Sequence, residues 1–72
     1  MKMIDVLCKL ANGEIKDQTI LKIYDLANYT YTYTFDEYFK AFYDAHDNEL
    51  TSHFEMNTRF LNYRAELIPT RT

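Results

Sequence analysis

Two histidines and one cysteine are the side chains of this chain best suited to metal binding. Zinc takes nitrogen, sulfur and oxygen ligands, so Cys8, His46 and His53 could form a site with Asp44 or Asp47. Their spacing matches no strong zinc motif, and the acidic segment "DAHDNE" lacks the central glycine of a calcium loop. We expect no bound cofactor, with zinc as the open alternative.

Nucleophilic catalysis has little support in the sequence. Ser52 is the only serine and stands next to His53, but no orienting group or oxyanion motif accompanies the two residues. Gly13 is the only glycine, so a glycine-rich phosphate loop is excluded. Cys8 falls on an apolar stripe, where a small core residue is expected. We therefore predict that the protein is not an enzyme.

The negative charge is concentrated in the middle of the chain. Residues 25–55 contain a single lysine and seven acidic residues, namely Asp25, Asp36, Glu37, Asp44, Asp47, Glu49 and Glu55. Phosphate binding needs a basic surface, so this segment argues against direct contact with nucleic acid. The same acids can attract a basic surface of another protein, or they can be a solvated face that maintains solubility.

The chain is short and rich in aromatic side chains. Its 72 residues suffice for a single domain, and twelve of them are Tyr or Phe. Because so short a chain buries only about 60% of its unfolded surface, several rings are needed for the core. No apolar run is typical of a signal peptide or a membrane span. A lone cysteine is typical of a reducing compartment, so we expect a cytoplasmic protein.

The elements that position these side chains follow from periodicity. Ile4, Leu7, Cys8 and Ala11 recur at helical spacing, and Gly13 is a helix stop. The segments 19–26 and 29–35 predict a β-hairpin, in which tyrosines and threonines alternate along the second strand. A last strand is predicted from about residue 62 to 68, stopped by Pro69, and residues 70–72 are expected to form a loose tail.

Two segments between the hairpin and the last strand are ambiguous. "TFDE" resembles a capping box, and the spacing of the following rings favours a helix over 35–46. A second hairpin with "DAHDN" as its turn is the alternative. The segment "ELTSHFEM" is either a short helix or a return strand. The predicted class is α+β: a small single domain whose N-terminal helix packs on an antiparallel sheet of three to four strands, with a second helix.

Both ends of the chain resemble a group of short accessory proteins encoded by phages and prophages of Gram-positive, streptococcal-type bacteria. Their common start matches Ile4, Asp5, Leu7, Lys9, Leu10, Ala11, Asn12, Gly13 and Glu14. Leu61 and Asn62 match the beginning of their closing strand, although Arg64 replaces a usual acid. Members often have a glycine-containing turn where this chain has "AHDN", which favours the second hairpin.

The resemblance implies that the protein binds a host protein. Anti-CRISPR proteins belong to such small acidic phage products, and several occupy the basic nucleic-acid channel of a type II RNA-guided nuclease. On this hypothesis an acidic and aromatic surface blocks target DNA loading or cleavage. Its predicted residues are Asp36, Glu37, Tyr38, Tyr43, Asp44, Asp47 and Glu49.

A second hypothesis belongs to another class of protein. Exposed aromatic strands can pair edge to edge, which would give a self-associating structural or regulatory accessory protein with no nuclease target. The sequence therefore leaves monomer and homodimer open.

Overall fold

A computed structural model describes residues 1–70. Helix α1 spans Met3–Ala11, and α2 is a single turn at Thr58–Leu61. The strands are β1 (Ile20–Tyr24), β2 (Thr30–Asp36), β3 (Ala41–Tyr43) and β4 (Arg64–Ile68). They form one antiparallel sheet in the order β3-β2-β1-β4, which confirms the predicted α+β class. None of the helices in this described part has the length and apolar character needed to cross a membrane.

Helix α1 ends at the only glycine of the chain, as predicted. Gly13 has a φ of +69°, and its N–H donates to the Leu10 carbonyl, while the Glu14 N–H donates to Lys9. This pair of bonds is a Schellman motif, which satisfies carbonyls left without helical partners. The predicted buried stripe is wrong by one position, because Met3 and Val6 are buried while Ile4 and Cys8 are exposed.

One face of the sheet forms the core. In β2, Tyr33 and Phe35 are buried and Tyr31 is half-buried, whereas the alternate threonines face the other side. The predicted alternation is therefore confirmed within this strand. The buried apolar residues are Met3, Val6, Leu21, Ile23, Tyr33, Phe35, Phe42, Leu50, Phe60 and Ala65.

The helix predicted over 35–46 is wrong. Strand β2 continues to Asp36, the chain turns over residues 37–40, and β3 returns so that Phe42 pairs with Phe35. Their rings meet edge to face, 5.3 Å apart between centroids. A separation of seven residues puts both rings on one side of a helix, but it also makes them direct neighbours in this hairpin. Burial against the sheet selects a hairpin, but its turn lies at residues 37–40 and not at "DAHDN" as the alternative had it.

The "DAHDN" segment forms a turn, as the hairpin alternative predicted. Its two ends meet at an isolated bridge between Tyr43 and Glu49. The segment "ELTSHFEM" contains one turn of 3-10 helix, Leu50–Ser52, and the second helix of the fold is α2. Of the predicted loose tail, Thr70 donates its hydroxyl to the Gln18 carbonyl, 3.0 Å away, and residues 71–72 lie outside the described residues.

The turn between β2 and β3 supplies a stability prediction. Lys40 has a φ of +53°, in the left-handed region, where a side chain costs about 1–2 kcal/mol. Lys40→Gly is expected to raise the free energy of unfolding by about 1 kcal/mol, net of the extra entropy of unfolded glycine. Lys40→Ala is the control, because it removes the same charge and keeps the unfavourable Cβ. Chemical denaturation measures both variants, and equal stabilities would contradict the prediction.

Candidate protein-binding surface

The residues predicted to bind a partner gather around the β2–β3 hairpin. Four of them line one open groove of about 500 Å³, namely Asp36, Tyr43, Asp44 and Asp47. Glu37 and Tyr38 belong to the turn beside this groove, and Glu49 lies opposite Tyr43 in the isolated bridge. The hairpin thus brings together side chains that span fourteen positions of the sequence.

Three aromatic rings form a continuous chain at this groove, and two of them, Tyr38 and Phe39, are exposed. Tyr38 is 86% exposed and Phe39 is 64% exposed. The Tyr38 and Phe39 rings meet edge to face at 4.9 Å, and Phe39 meets Tyr43 at 5.9 Å. Phe39 was not among the predicted site residues, and the turn over residues 37–40 leaves it exposed. Two neighbouring exposed rings are typical of an interaction surface rather than a core.

Two of the acids hold loops as well as carrying charge. Asp36 Oδ1 accepts hydrogen bonds from the Tyr38 and Phe39 backbone N–H groups, at 2.8 and 3.2 Å. Asp44 Oδ1 accepts from His46 and Asn48, at 2.8 and 2.9 Å. Each carboxylate closes a turn in the way that aspartate side chains mimic backbone. These bonds hold the two carboxylates, both of which line the groove, in ordered positions.

The other predicted acids differ in their surroundings. Glu37 is exposed, and its backbone N–H donates to Asp17 Oδ1, 3.0 Å away. Asp47 is exposed with a φ of +62°. Glu49 is half-buried, and its carboxylate accepts a hydrogen bond from the Thr51 hydroxyl. Glu37 and Asp47 therefore present the most accessible charge of the surface.

A buried tyrosine connects this surface to the core. The Tyr33 hydroxyl lies 2.9 Å from His53 Nδ1, which in turn lies 3.9 Å from Asp44 Oδ2. Burial, and then the charge of Asp44, raise the pKa of Tyr33 to about 12. The hydroxyl therefore stays protonated. It donates a hydrogen bond to Nδ1 of the imidazole when the ring proton of His53 is on Nε2.

The zinc site considered from the sequence does not assemble in this structure. His53 and Asp44 are neighbours, but among residues 1–70 no three His, Cys, Asp or Glu side chains are grouped closely enough to hold a metal ion. Cys8 is exposed on α1.

Comparison of the chain with protein-family models, with curated proteins and with solved structures finds no significant match. Function is therefore inferred from the geometry and chemistry of the surface itself.

The turn closed by Asp44 predicts a pH dependence of stability. Hydrogen bonds from the Asn48 and His46 backbone N–H groups, with His53 nearby, hold the pKa of Asp44 below its ordinary value. A depressed pKa stabilises the folded state above the ordinary aspartate range, and this contribution disappears as the pH falls through the folded pKa.

Asp44→Asn retains an amide oxygen for the turn but does not titrate. We expect its melting temperature to fall less than that of the wild type when the pH is lowered from about 5 to about 2. Asp47→Asn is the control, because Asp47 occupies the same turn and its side chain accepts no hydrogen bond within residues 1–70. If the melting temperatures of the wild type and Asp44→Asn fall equally over this pH range, the assignment to Asp44 is wrong.

Proposed function

We propose that this protein is an inhibitor that binds a host protein and performs no reaction of its own. Its working surface is the acidic and aromatic groove of the β2–β3 hairpin. The preferred target is a type II RNA-guided nuclease, whose basic channel holds nucleic acid. On this proposal the protein is phage-encoded, acts in the bacterial cytoplasm and blocks target DNA loading or cleavage.

The observation that carries the proposal is the exposed pair of Tyr38 and Phe39 beside four carboxylates. Interface hot spots favour aromatic anchors beside charged groups, and a small protein gains nothing in stability from leaving two large rings in water. The carboxylates are those of Asp36, Glu37, Asp44 and Asp47. A surface that combines exposed aromatic rings with carboxylates is complementary to a cleft with basic side chains and apolar walls.

Electrostatics supports a nucleic-acid channel over a neutral partner. Such a channel is lined by Lys and Arg because it holds a phosphate backbone. Carboxylates at its entrance compete with DNA for the same cations, and their attraction weakens when salt shortens the Debye length. Binding by this mechanism is therefore steep in salt, whereas binding through apolar contacts alone is not.

The resemblance to small phage accessory proteins supports the choice of target. It rests on the segment from Ile4 to Glu14, which forms α1 and its stop, and on Leu61 and Asn62. Both segments lie outside the groove. They therefore bear on the origin of the chain, while the groove bears on what it binds.

The first test is target DNA loading by type II nucleases from streptococcal or related hosts. Each nuclease is incubated with guide and fluorescent target duplex while this protein is titrated, at low and moderate salt. We expect loading to fall at near-stoichiometric protein, with a weaker effect at the higher salt. If loading and cleavage are unchanged across several such nucleases, the proposal of anti-CRISPR activity is wrong.

Neutral isosteres test the contribution of charge without opening the turns. Asn at 36, 44 and 47 and Gln at 37 preserve shape and the turn-closing oxygens. Combining the four changes is expected to weaken inhibition by about 100-fold, because each removes a long-range attraction. Circular dichroism verifies that the variant is folded. Inhibition at the wild-type level would exclude the acids from the mechanism.

A single truncation tests the aromatic anchor. Phe39→Ala is expected to weaken inhibition by roughly 30-fold, since a buried hot-spot ring contributes about 2 kcal/mol. Leu26→Ala is the matched control, because Leu26 is also a large exposed apolar side chain, 82% exposed, in the turn between β1 and β2. Equal losses in the two variants would show that Phe39 has no particular role.

A further inference from the structure

Strand β2 is longer than the neighbour that covers its outer side. It has seven residues, but β3 pairs only with Thr34, Phe35 and Asp36. Over Thr30–Tyr33 the described residues provide a strand partner in β1 alone. The side of β2 that faces away from β1 is therefore unpaired over the four residues Thr30–Tyr33, beyond the end of β3. We call this segment the open edge of β2.

The alternation of the ladder shows which backbone groups face this open edge. The Phe35 N–H donates to the Thr19 carbonyl, and Asp25 donates to Tyr29, so odd-numbered residues of this segment bond toward β1. In an antiparallel ladder alternate residues bond to opposite sides. The N–H and C=O groups of Thr30 and Thr32 therefore point outward, where an added strand would reach them.

A slot of about 460 Å³ lies along this edge, lined by Thr30, Tyr31, Thr32, Tyr33, Asp44 and His53. Asp44 lies at its Tyr33 end, with Oδ1 in the turn and Oδ2 accepting no hydrogen bond within residues 1–70. Asp25 lies on the β1 side of β2, where its Oδ2 accepts from the Tyr31 hydroxyl, 3.1 Å away. Asp44 is therefore the carboxylate that lines the slot.

We propose that the open edge of β2 binds an extended segment of a partner protein as an added antiparallel strand, with basic side chains at alternate positions. Main-chain hydrogen bonds to Thr30 and Thr32 provide the attachment, as in other strand additions. Side chains opposite Tyr31 and Tyr33 lie on the same face as those rings and reach Asp44. These are the positions for lysine or arginine.

The position of the added strand between the two basic ones, opposite Thr32, is expected to be uncharged for a separate reason. A residue opposite Thr32 lies on the other face of the sheet, where Lys22 stands directly across from Thr32 in β1. A cation there would approach another cation, so the preferred pattern is basic and uncharged residues in alternation.

Charge also disfavours a second copy of this chain as the occupant. Each copy has a net charge of −3, so two copies repel one another. A basic segment from a different protein instead meets the Asp44 carboxylate in the slot.

The test uses a blocked seven-residue peptide of alternating lysine and threonine, added at millimolar concentration to the full protein. Amide exchange is followed by NMR. Binding at the edge is expected to slow exchange of the Thr30 and Thr32 amides by about tenfold or more. No protection of these amides, or protection only in the acidic turns, overturns the proposal.

Two isomeric peptides separate strand addition from attraction by charge alone. In the added strand the threonine nitrogens face β2, while the lysine nitrogens face solvent. Methylation of the threonine nitrogens is expected to abolish protection, and methylation of the lysine nitrogens is expected to preserve it. If both methylated peptides bind equally, contact is electrostatic and the proposal fails.

A protein variant gives an independent result. Thr32→Pro removes an N–H that points outward, so the bonds between β1 and β2 remain, and proline is tolerated at such edge positions. We expect loss of peptide binding in Thr32→Pro and retention in Thr32→Ala. If Thr32→Pro does not fold, the two methylated peptides still distinguish strand addition from attraction by charge alone. Protection of Thr30 and Thr32 that appears with protein concentration alone would identify a second copy as the occupant and overturn the assignment.

The inference goes beyond the proposed inhibition, since it requires no nuclease. Thr32→Pro leaves the rings of Tyr38 and Phe39 unchanged, and Phe39→Ala leaves the open edge unchanged. The two proposals can therefore fail separately.

Discussion

The hydrogen bond from a backbone N–H to an aspartate carboxylate is the constraint on which this structure depends most. Asp25, Asp36 and Asp44 each end or directly follow a strand, and each uses Oδ1 to accept two backbone N–H groups of the next turn. A chain with a single glycine has few other means of turning sharply. The three carboxylates replace that missing flexibility and determine where β1, β2 and β3 stop.

The same bonds link the stability of the fold to the charge of its surface. Asp36 and Asp44 contribute to the acidic groove only in the directions that their turns allow. Exchanging either for lysine would remove both a charge and a turn, so loss of binding in such a variant would have two causes. Charge held in this way loses little entropy when a partner docks, because the side chain is already ordered.

The sequence predicted correctly those elements whose residue pattern fits only one type of secondary structure. The alternation along β2, the glycine stop of α1 and the strand before Pro69 each follow from local rules and are found in the structure. The 35–46 segment was ambiguous because Phe35 and Phe42 share a side in both helix and hairpin, and only the pairing of β3 with β2 over the core distinguishes the two. The exposure of Phe39 follows from its place in the turn over residues 37–40, which the helical spacing did not predict. The open edge of β2 exists because β3 ends at Tyr43, and the spacing of apolar residues does not predict where that strand ends.

The position of β1 between β2 and β4 has a consequence for synthesis. Strand β1 pairs with β4, whose residues follow about forty positions later in the chain. At translation rates of about 5–20 residues per second, the centre of the sheet waits roughly 2–8 seconds for its second partner. During that interval the aromatic hairpin lacks the strand that completes its core, so apolar surface stays exposed in the nascent chain. Completion of the fold is therefore expected only after β4 has left the exit tunnel.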